Sequence, residues 1–481
     1  MKLGSVVKNA FATKPGWATS SSERMSYYSY FAGQNMIYTL FNTCLATYLL
    51  FLGIDPIKSA AVIFAVKVWD AVNDTLFGVI FDKIRFRSGK KYLPWLRVST
   101  VLIHITTILT FIIPSSTSET VKLWWFAISY LLWDTAYTLC DVPIFGILTS
   151  MTHSVDERNS IQSYKSIATY AGVFVTSGLA TFLISEKVGV GYNVITVIIS
   201  AMAFALMMPA SFKLKERYSA EAEETFTLRR MFSYLFKNKY LLIYYVGYFF
   251  YAAANISAAL SLLVSYYLFN DTLFSLVVGA CGTVPSLICS LLVPAMLKKI
   301  DKMKLYKLCA IAMVVLSVVM WLIGYNNIIL HIVLYVIRSI PLAIIGVLMF
   351  IFTPDCAEYG KYKSGIEAKG ITFAIQTFMS KLTGAVSGAL SLFLLGLKST
   401  GWIDVEAQSF EELQQLGVVQ SDHALSVLWF SYVMVPAIGC LIAYVIWNFY
   451  KLNDKDVQIM ADCNAGNISH DEAEQLLSRK Y

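Results

Sequence analysis

Long apolar runs separated by short polar turns dominate the chain. Twelve runs of about 20 residues can be counted, and they start near Met25, Ile57, Trp95, Val121, Gln162, Tyr192, Tyr240, Ser275, Leu305, Ile328, Gly370 and His423. An α-helix needs a run of this length to cross the hydrocarbon core of a bilayer. The pattern therefore predicts an all-α membrane protein with twelve transmembrane helices.

Composition supports this prediction and excludes other classes. Of the 481 residues, 57% are hydrophobic and only 14% are charged, which is too little polar surface for a soluble globule of this size. The net charge of +7 is carried mainly by the turns, so we do not expect nucleic acid as a partner. The eight cysteines and five histidines form no CxxC or HExxH pattern, and we expect neither a cofactor nor an enzyme.

The distribution of Lys and Arg predicts the topology. Alternate turns are rich in basic residues, which places both termini in the cytoplasm. The longest basic connection falls near the midpoint, and a weak repeat relates the basic turns on either side of it. We therefore predict two six-helix halves with a site between them. The two predicted six-helix bundles comprise residues 25–212 and 240–450. Three cytoplasmic segments complete the chain: an N-terminal segment (1–24), a middle loop (213–239) and a tail (451–481).

Polar residues interrupt the second apolar run on one helical face. Asn73 and Asp74 follow Asp70 by three and four residues, and Lys67 precedes Asp70 by three residues, about one helical turn. Two neighbouring carboxylates at membrane depth require a shared proton, a bound cation or a basic partner. The sequence thus favours a cation site, with a static Lys67–Asp70 ion pair as the alternative.

Four stretches resemble a known family. WDAVNDTLFGVIFD in the second span is followed by RSGKKYLPW, YTLCDVPIFGILTSMT lies in the fourth span, and TPDCAEYGKYKSGIEAKGITFAIQTFMSKLTGA leads into the eleventh. They resemble the glycoside-pentoside-hexuronide:cation symporters of the major facilitator superfamily, over about Met25 to Tyr450. The resemblance implies the major facilitator fold in a bacterial cytoplasmic membrane. It also implies cation-coupled transport of a small sugar or glycoside by alternating access, in a protein that we expect to be a monomer in contact with membrane lipid.

The resemblance assigns roles to individual residues. The family's cation site matches Asp70, Asn73, Asp74 and Thr138, and the coupling ion could be Na⁺, H⁺ or Li⁺. The family's substrate positions fall on the first, fourth and fifth spans, at Asn35 with its neighbour Gln34, Tyr137, Asp141, Phe145 and Lys165. Asn35 stands where galactoside carriers of the family have an acid, and Phe145 where they have Trp. Both differences disfavour a melibiose-like substrate. The missing acid at Asn35, together with the positive charges of Lys165 and Arg338, favours a uronide or glucuronide over a neutral disaccharide.

Four further charged residues lie in or beside apolar runs. Lys381 is deep in the eleventh span and suits charge balance or gating, and Glu358 suits a cytoplasmic latch. The family pattern does not explain Asp134 or Arg338. Arg338 either binds the carboxylate of a substrate or is neutralised by Asp134.

One alternative function uses the same fold. Related carriers of this superfamily branch move lysolipids, so a carrier of amphipathic lipids is the competing interpretation. The polar set of Asn35, Asp141 and Lys165 argues against it.

Overall fold

The computed structural model describes residues 16–84, 86, 88–218, 228–349, 351–365 and 369–481. All regular secondary structure in these ranges is helical. The chain divides into two compact units. The first comprises Met1–Thr225, Asp271–Leu273 and Trp402–Gln420, and the second comprises Phe226–Asn270, Phe274–Gly401 and Ser421–Tyr481.

The first unit is built from six long helices and one short one. The long helices are α1 (Ser21–Phe51), α2 (Pro56–Lys83), α3 (Leu93–Phe111), α4 (Glu119–Met151), α5 (Val155–Ile184) and α6 (Tyr192–Lys213). The first begins at a capping box, in which Ser20 and Glu23 each bond the other's backbone N–H. Helix α1 packs against α5 and α6, α3 packs against α4 and α6, and α2 packs against α4.

Two glycines bring α1 close to its neighbours. A Cβ atom at Gly33 would lie 2.6 Å from the carbonyl oxygen of Ala203 on α6, and one at Gly172 on α5 would collide with the carbonyl of Ala32. Backbones can approach this closely in membrane helices only where side chains are absent. These contacts fix the position of Gln34 and Asn35, which follow directly in α1.

The segment Trp402–Gln420 also belongs to the first unit, although it follows the eleventh predicted span. The Ala407 N–H donates to the carbonyl of Phe51 at 2.9 Å, and Lys122 Nζ, which is buried, lies 2.7 Å from Glu406 Oε1. The short helix Phe410–Gln415 lies within this segment. The sequence pattern did not predict that this loop packs on the first unit.

The second unit contains the remaining helices. They are α7 (Leu228–Lys237), α8 (Lys239–Ala253), α9 (Ser257–Phe269), α10 (Phe274–Leu297), α11 (Lys302–Ile323), α12 (Ile328–Leu348), α13 (Phe352–Ser364), α14 (Lys369–Gly396), α16 (Asp422–Trp447), α17 (Asp454–Asn464) and α18 (His470–Leu476). The label α15 belongs to the short helix Phe410–Gln415 of the first unit. An aromatic core that includes Tyr244, Tyr306, Phe352 and Trp447 lies between α8, α11, α13 and α16. The predicted seventh span is interrupted between α8 and α9 at residues 254–256, where the helix breaks.

Nine helical runs in the described ranges are long and apolar enough to cross a membrane. They start at Leu93, Glu119, Asp156, Tyr192, Lys239, Lys302, Ile328, Gly370 and Asp422. The other three predicted spans coincide with α1, α2 and α10. The all-helical membrane fold is thus confirmed, while the count of twelve spans stays a prediction.

Candidate functional site

Helices α2 and α4 meet through a ladder of polar contacts. Lys67 Nζ donates to Asp134 Oδ1 at 2.8 Å, Trp69 Nε1 to Thr135 Oγ1 at 3.4 Å, and Asn73 Nδ2 to Thr138 Oγ1 at 3.3 Å. The three contacts follow one another in the same order along both helices, from Lys67 to Asn73 and from Asp134 to Thr138. The ladder therefore aligns the polar face of α2 with the polar face of α4.

The predicted cation ligands lie on this ladder. Asp70, Asn73 and Thr138 are all buried, and Thr138 accepts the hydrogen bond from Asn73. The side-chain carbonyl oxygen of Asn73 is buried without a hydrogen-bond partner, and hard cations bind oxygens of this kind. The residues present thus fit a hard cation. The side chain of Asp74 lies outside the described residues, and across the described ranges no three His, Cys, Asp or Glu side chains cluster closely enough to hold a metal ion.

The basic residue beside the site is engaged by α4. The alternative interpretation of the sequence paired Lys67 with Asp70, but its hydrogen bond goes to Asp134, whose side chain is only 3% exposed. Asp70 still attracts the ammonium electrostatically. The described ion-pair partner of Asp134 is thus Lys67. The neutralisation of Arg338 by Asp134 stays a prediction.

A second polar cluster connects α1 with α4. Gln34 Nε2 donates to Asp141 Oδ1 at 2.9 Å, and Gln34 is only 2% exposed. Asn35, the residue that the family comparison emphasised, donates to the carbonyl of Phe31 within its own helix, at 2.9 Å. The structure therefore brings Gln34, rather than the amide of Asn35, into hydrogen-bonding contact with Asp141.

Lys165 lies over two aromatic faces. Its Nζ is 4.2 Å from the ring centroid of Phe31 and 4.4 Å from that of Phe145, and Asp141 attracts it electrostatically. The two rings meet edge to face with centroids 5.1 Å apart. Aromatic faces stabilise a cation by their negative quadrupole and also suit the apolar face of a sugar. Phe145 is 43% exposed and Phe31 only 1%, so Phe145 is the accessible ring of the pair.

Sequence reasoning missed two aromatic neighbours of the cluster. Phe31 contacts Lys165, and Tyr38 contacts Tyr137 with ring centroids 5.7 Å apart. Phe31 and Tyr38 lie one turn before and after Gln34 on α1, so helical spacing could have identified them. Tyr137 also contacts Trp133, one turn earlier on its own helix, at 5.5 Å.

Arg338 lies in the second unit and is only 3% exposed. Its Nε donates to Ser317 Oγ at 2.8 Å, and one terminal nitrogen donates to the carbonyl of Val433 at 3.3 Å. These partners belong to α11 and α16. They connect the middle of α12 to both of these helices. The predicted contact of Arg338 with substrate stays a prediction.

The remaining predicted residues lie on α13 and α14. Glu358 accepts a hydrogen bond from Asn464 of α17 at 2.8 Å, so it connects α13 to the tail. Lys381 is partly buried within α14, and its neighbour Ser380 contacts the hydroxyl of Tyr248 at 3.2 Å. These positions suit a latch and a charge within the bundle, and both roles stay predictions.

The long apolar helices define a multi-pass α-helical membrane protein. The chain belongs to the family described as MFS/sugar transport protein, which matches residues 26–454. It is therefore a membrane-embedded sugar transporter.

Two curated relatives and one solved structure illustrate the relationship. The isoprimeverose transporter of Lactiplantibacillus pentosus is 22% identical, over 92% of this chain and 91% of the relative. The glucuronide carrier protein homolog of Escherichia coli (strain K12) is 25% identical, over 84% of this chain and 86% of the relative. The crystal structure of the nucleoside transporter NupG has a TM-score of 0.64 and 14% identity, over 89% of this chain and 99% of that chain, and shows the fold alone. The resemblance to glycoside-pentoside-hexuronide:cation symporters is thus confirmed.

Proposed function

We propose that this transporter carries a uronic acid or glucuronide together with Na⁺ or H⁺ by alternating access. It acts in a bacterial cytoplasmic membrane with both termini in the cytoplasm, as the basic turns indicate. The single observation that carries the substrate proposal is the Lys165 ammonium above Phe31 and Phe145, beside Asp141.

Each part of this cluster suits one part of a uronide. Asp141, which Gln34 holds by a hydrogen bond, can bond the ring hydroxyls. The exposed ring of Phe145 can lie against the apolar face of the sugar, and Lys165 can donate to the carboxylate. Of the two basic candidates we assign the carboxylate to Lys165, because Arg338 already donates to Ser317 and Val433. A lipid carrier would have little use for such a polar cluster.

The cation proposal depends on oxygen ligands. Asp70, Thr138 and the unsatisfied carbonyl oxygen of Asn73 offer carboxylate, hydroxyl and amide oxygens on adjoining faces of α2 and α4. A cation bound there would neutralise Asp70, and it would hold together the helices that carry the substrate residues. This linkage supports symport, in which each ligand raises the affinity for the other.

Substrate charge can be tested with one matched pair of ligands. Isothermal titration calorimetry of the purified protein should compare 4-nitrophenyl β-glucuronide with 4-nitrophenyl β-glucoside, with and without Na⁺ and at two pH values. We expect the glucuronide to bind more tightly. Lys165→Gln should weaken glucuronide binding by about 10- to 100-fold and glucoside binding much less, because a charged hydrogen bond contributes about 1.5 to 3 kcal/mol.

Lys187→Gln is the matched control, since Lys187 is an exposed lysine of the same unit that pairs with Asp271 at 2.8 Å. It should change neither affinity. Equal losses for both ligands in Lys165→Gln, or tight binding of the glucoside alone, would contradict the uronide proposal. Affinities that respond to neither Na⁺ nor pH would contradict cation coupling.

A further inference from the structure

Lys67 lies where it could compete with the coupling cation. It precedes Asp70 by three residues on α2, and oppositely charged side chains at this spacing face each other on a helix. Asp70 attracts the ammonium in a buried setting where charges interact strongly. An ammonium bound to Asp70 would fill the carboxylate that a transported cation needs.

Helix α4 provides a separate cradle for this ammonium. Asp134 Oδ1 accepts its hydrogen bond at 2.8 Å, and the rings of Tyr130 and Trp133 lie 5.6 and 5.5 Å from Nζ. Asp134 precedes Thr138 by one turn, so the cradle adjoins the cation ligands on the same face. The Lys67 ammonium is thus held at Asp134, one turn before Thr138 on α4.

The cradle itself is held in place. Trp133 Nε1 donates to Thr107 Oγ1 of α3 at 3.1 Å, and its ring stacks on Phe41 of α1 with centroids 3.7 Å apart. Tyr130 stacks on the same two rings, 5.7 Å from Trp133 and 5.8 Å from Phe41. Three helices of the first unit therefore fix the groups that surround the ammonium.

Stability alone is a weak reason for such a pair. Removing two charges from water costs several kcal/mol each, and an apolar pair of similar size is often as stable as a buried ion pair. Asp134 and Lys67 adjoin the predicted cation ligands. At this place the position of the Lys67 ammonium changes the affinity of the site for a transported cation.

We propose that Asp134 is a positioning residue that holds Lys67 away from Asp70 and so lowers its competition with the coupling cation. This inference rests on the proposed cation coupling. Asp134 then sets the cation concentration at which the transporter operates, without itself binding the cation.

The test is a mutant cycle of wild type, Asp134→Asn, Lys67→Gln and the double variant. For each purified protein, calorimetry gives the cation concentration that half-maximally raises the affinity for 4-nitrophenyl β-glucuronide, and thermal unfolding without sugar gives a second readout of cation binding. The cation is Na⁺ or H⁺, whichever the wild type responds to.

We expect Asp134→Asn to raise the half-saturating concentration by about 10-fold, because Lys67 then turns to Asp70. Adding Lys67→Gln should restore the concentration to the wild-type value or below. The double variant carries neither charge, so it tests the proposal even where Asp134→Asn does not fold.

The paired variants Lys122→Gln and Glu406→Gln serve as the control, since they neutralise a different lysine–carboxylate pair in the same unit. They should leave the cation response unchanged. Weaker cation binding by the double variant than by the wild type would indicate that Asp134 is itself a cation ligand, and it would overturn the proposal. So would an unchanged response in a folded Asp134→Asn protein. A wild type without any cation response would instead contradict the proposed function.

Discussion

The two units engage two basic side chains, Lys67 and Arg338, in different ways. In the first unit, Lys67 donates to the carboxylate of Asp134 and lies near a second carboxylate, that of Asp70. In the second unit, Arg338 donates to the hydroxyl of Ser317 and the carbonyl of Val433, both neutral groups.

The difference separates a functional charge from a structural one. A lysine beside two acids can compete with a transported cation, because the carboxylates can bind either the ammonium or the cation. An arginine whose donors bond hydroxyl and carbonyl groups of two adjacent helices holds those helices together, and no mobile ion replaces it. We therefore expect charge changes in the first unit to alter ligand binding, and the change at Arg338 to alter stability.

The largest effect should follow from Asp141→Asn in the first unit. The new amide oxygen can still accept the hydrogen bond from Gln34, so the fold should change little. The lost negative charge removes the strong acceptor for sugar hydroxyls, and we expect the affinity for both nitrophenyl glycosides to fall about 100-fold, near the upper range for a charged hydrogen bond. Calorimetry measures the affinities and thermal unfolding measures the stability. A variant that unfolds early but binds sugar normally would reverse the assignment of roles.

A smaller effect, on stability, should follow from Arg338→Met in the second unit. Met fills most of the space, but Ser317 and Val433 lose their donors, so the free energy of unfolding should fall by about 2 kcal/mol. The ratio of glucuronide to glucoside affinity should stay at the wild-type value. SDS titration in mixed micelles measures the first quantity and calorimetry the second. A selective loss of glucuronide binding would place Arg338 at the substrate and remove the contrast between the units.

The sequence predicted the membrane fold because apolar runs of about 20 residues have few other uses. It also predicted that Asp70, Asn73 and Thr138 serve one site, and the Asn73–Thr138 hydrogen bond now joins the two helices that carry them. Helical spacing alone relates residues on one helix. The resemblance to a family was needed to bring the fourth span into the prediction.

Pairings between helices were the part that the sequence could not give. Lys67 has an acid at helical spacing on its own helix, yet its hydrogen bond goes to Asp134, because the packing of α2 on α4 brings that carboxylate within 2.8 Å. Likewise Gln34 rather than its neighbour Asn35 bonds Asp141, since the close approach of α1 to α5 and α6 sets its rotation. Such choices depend on tertiary packing, which a single sequence does not display.

The smallest expected effect tests a region of the second unit that lies outside the membrane spans. Asp456 of α17 accepts hydrogen bonds from Asn453 at 2.7 Å and from the N–H of Ser478 at 3.0 Å, and the hydroxyls of Ser478 and Tyr481 also donate to it. Burial raises the pKa of this carboxyl, but the hydrogen bonds from Ser478 and Tyr481 outweigh burial and hold the pKa below its ordinary value.

The lowered pKa fixes the sign of the pH dependence. A carboxyl whose folded-state pKa is lowered contributes stability above its unfolded pKa of about 4, and that contribution is lost as the pH falls through the folded-state pKa. Asp456→Asn should therefore destabilise the packing of α17 and α18 by about 1 kcal/mol at pH 7 and have a smaller effect below pH 4. Hydrogen exchange of the tail in the wild type and in the variant, each at pH 7 and below pH 4, measures this difference. Sugar affinity should stay unchanged, because α17 packs on α13 within the second unit, whereas the sugar cluster belongs to the first. A change in glucuronide affinity would show that the tail takes part in transport, and the contrast between a ligand-binding first unit and a structural second unit would then be too simple.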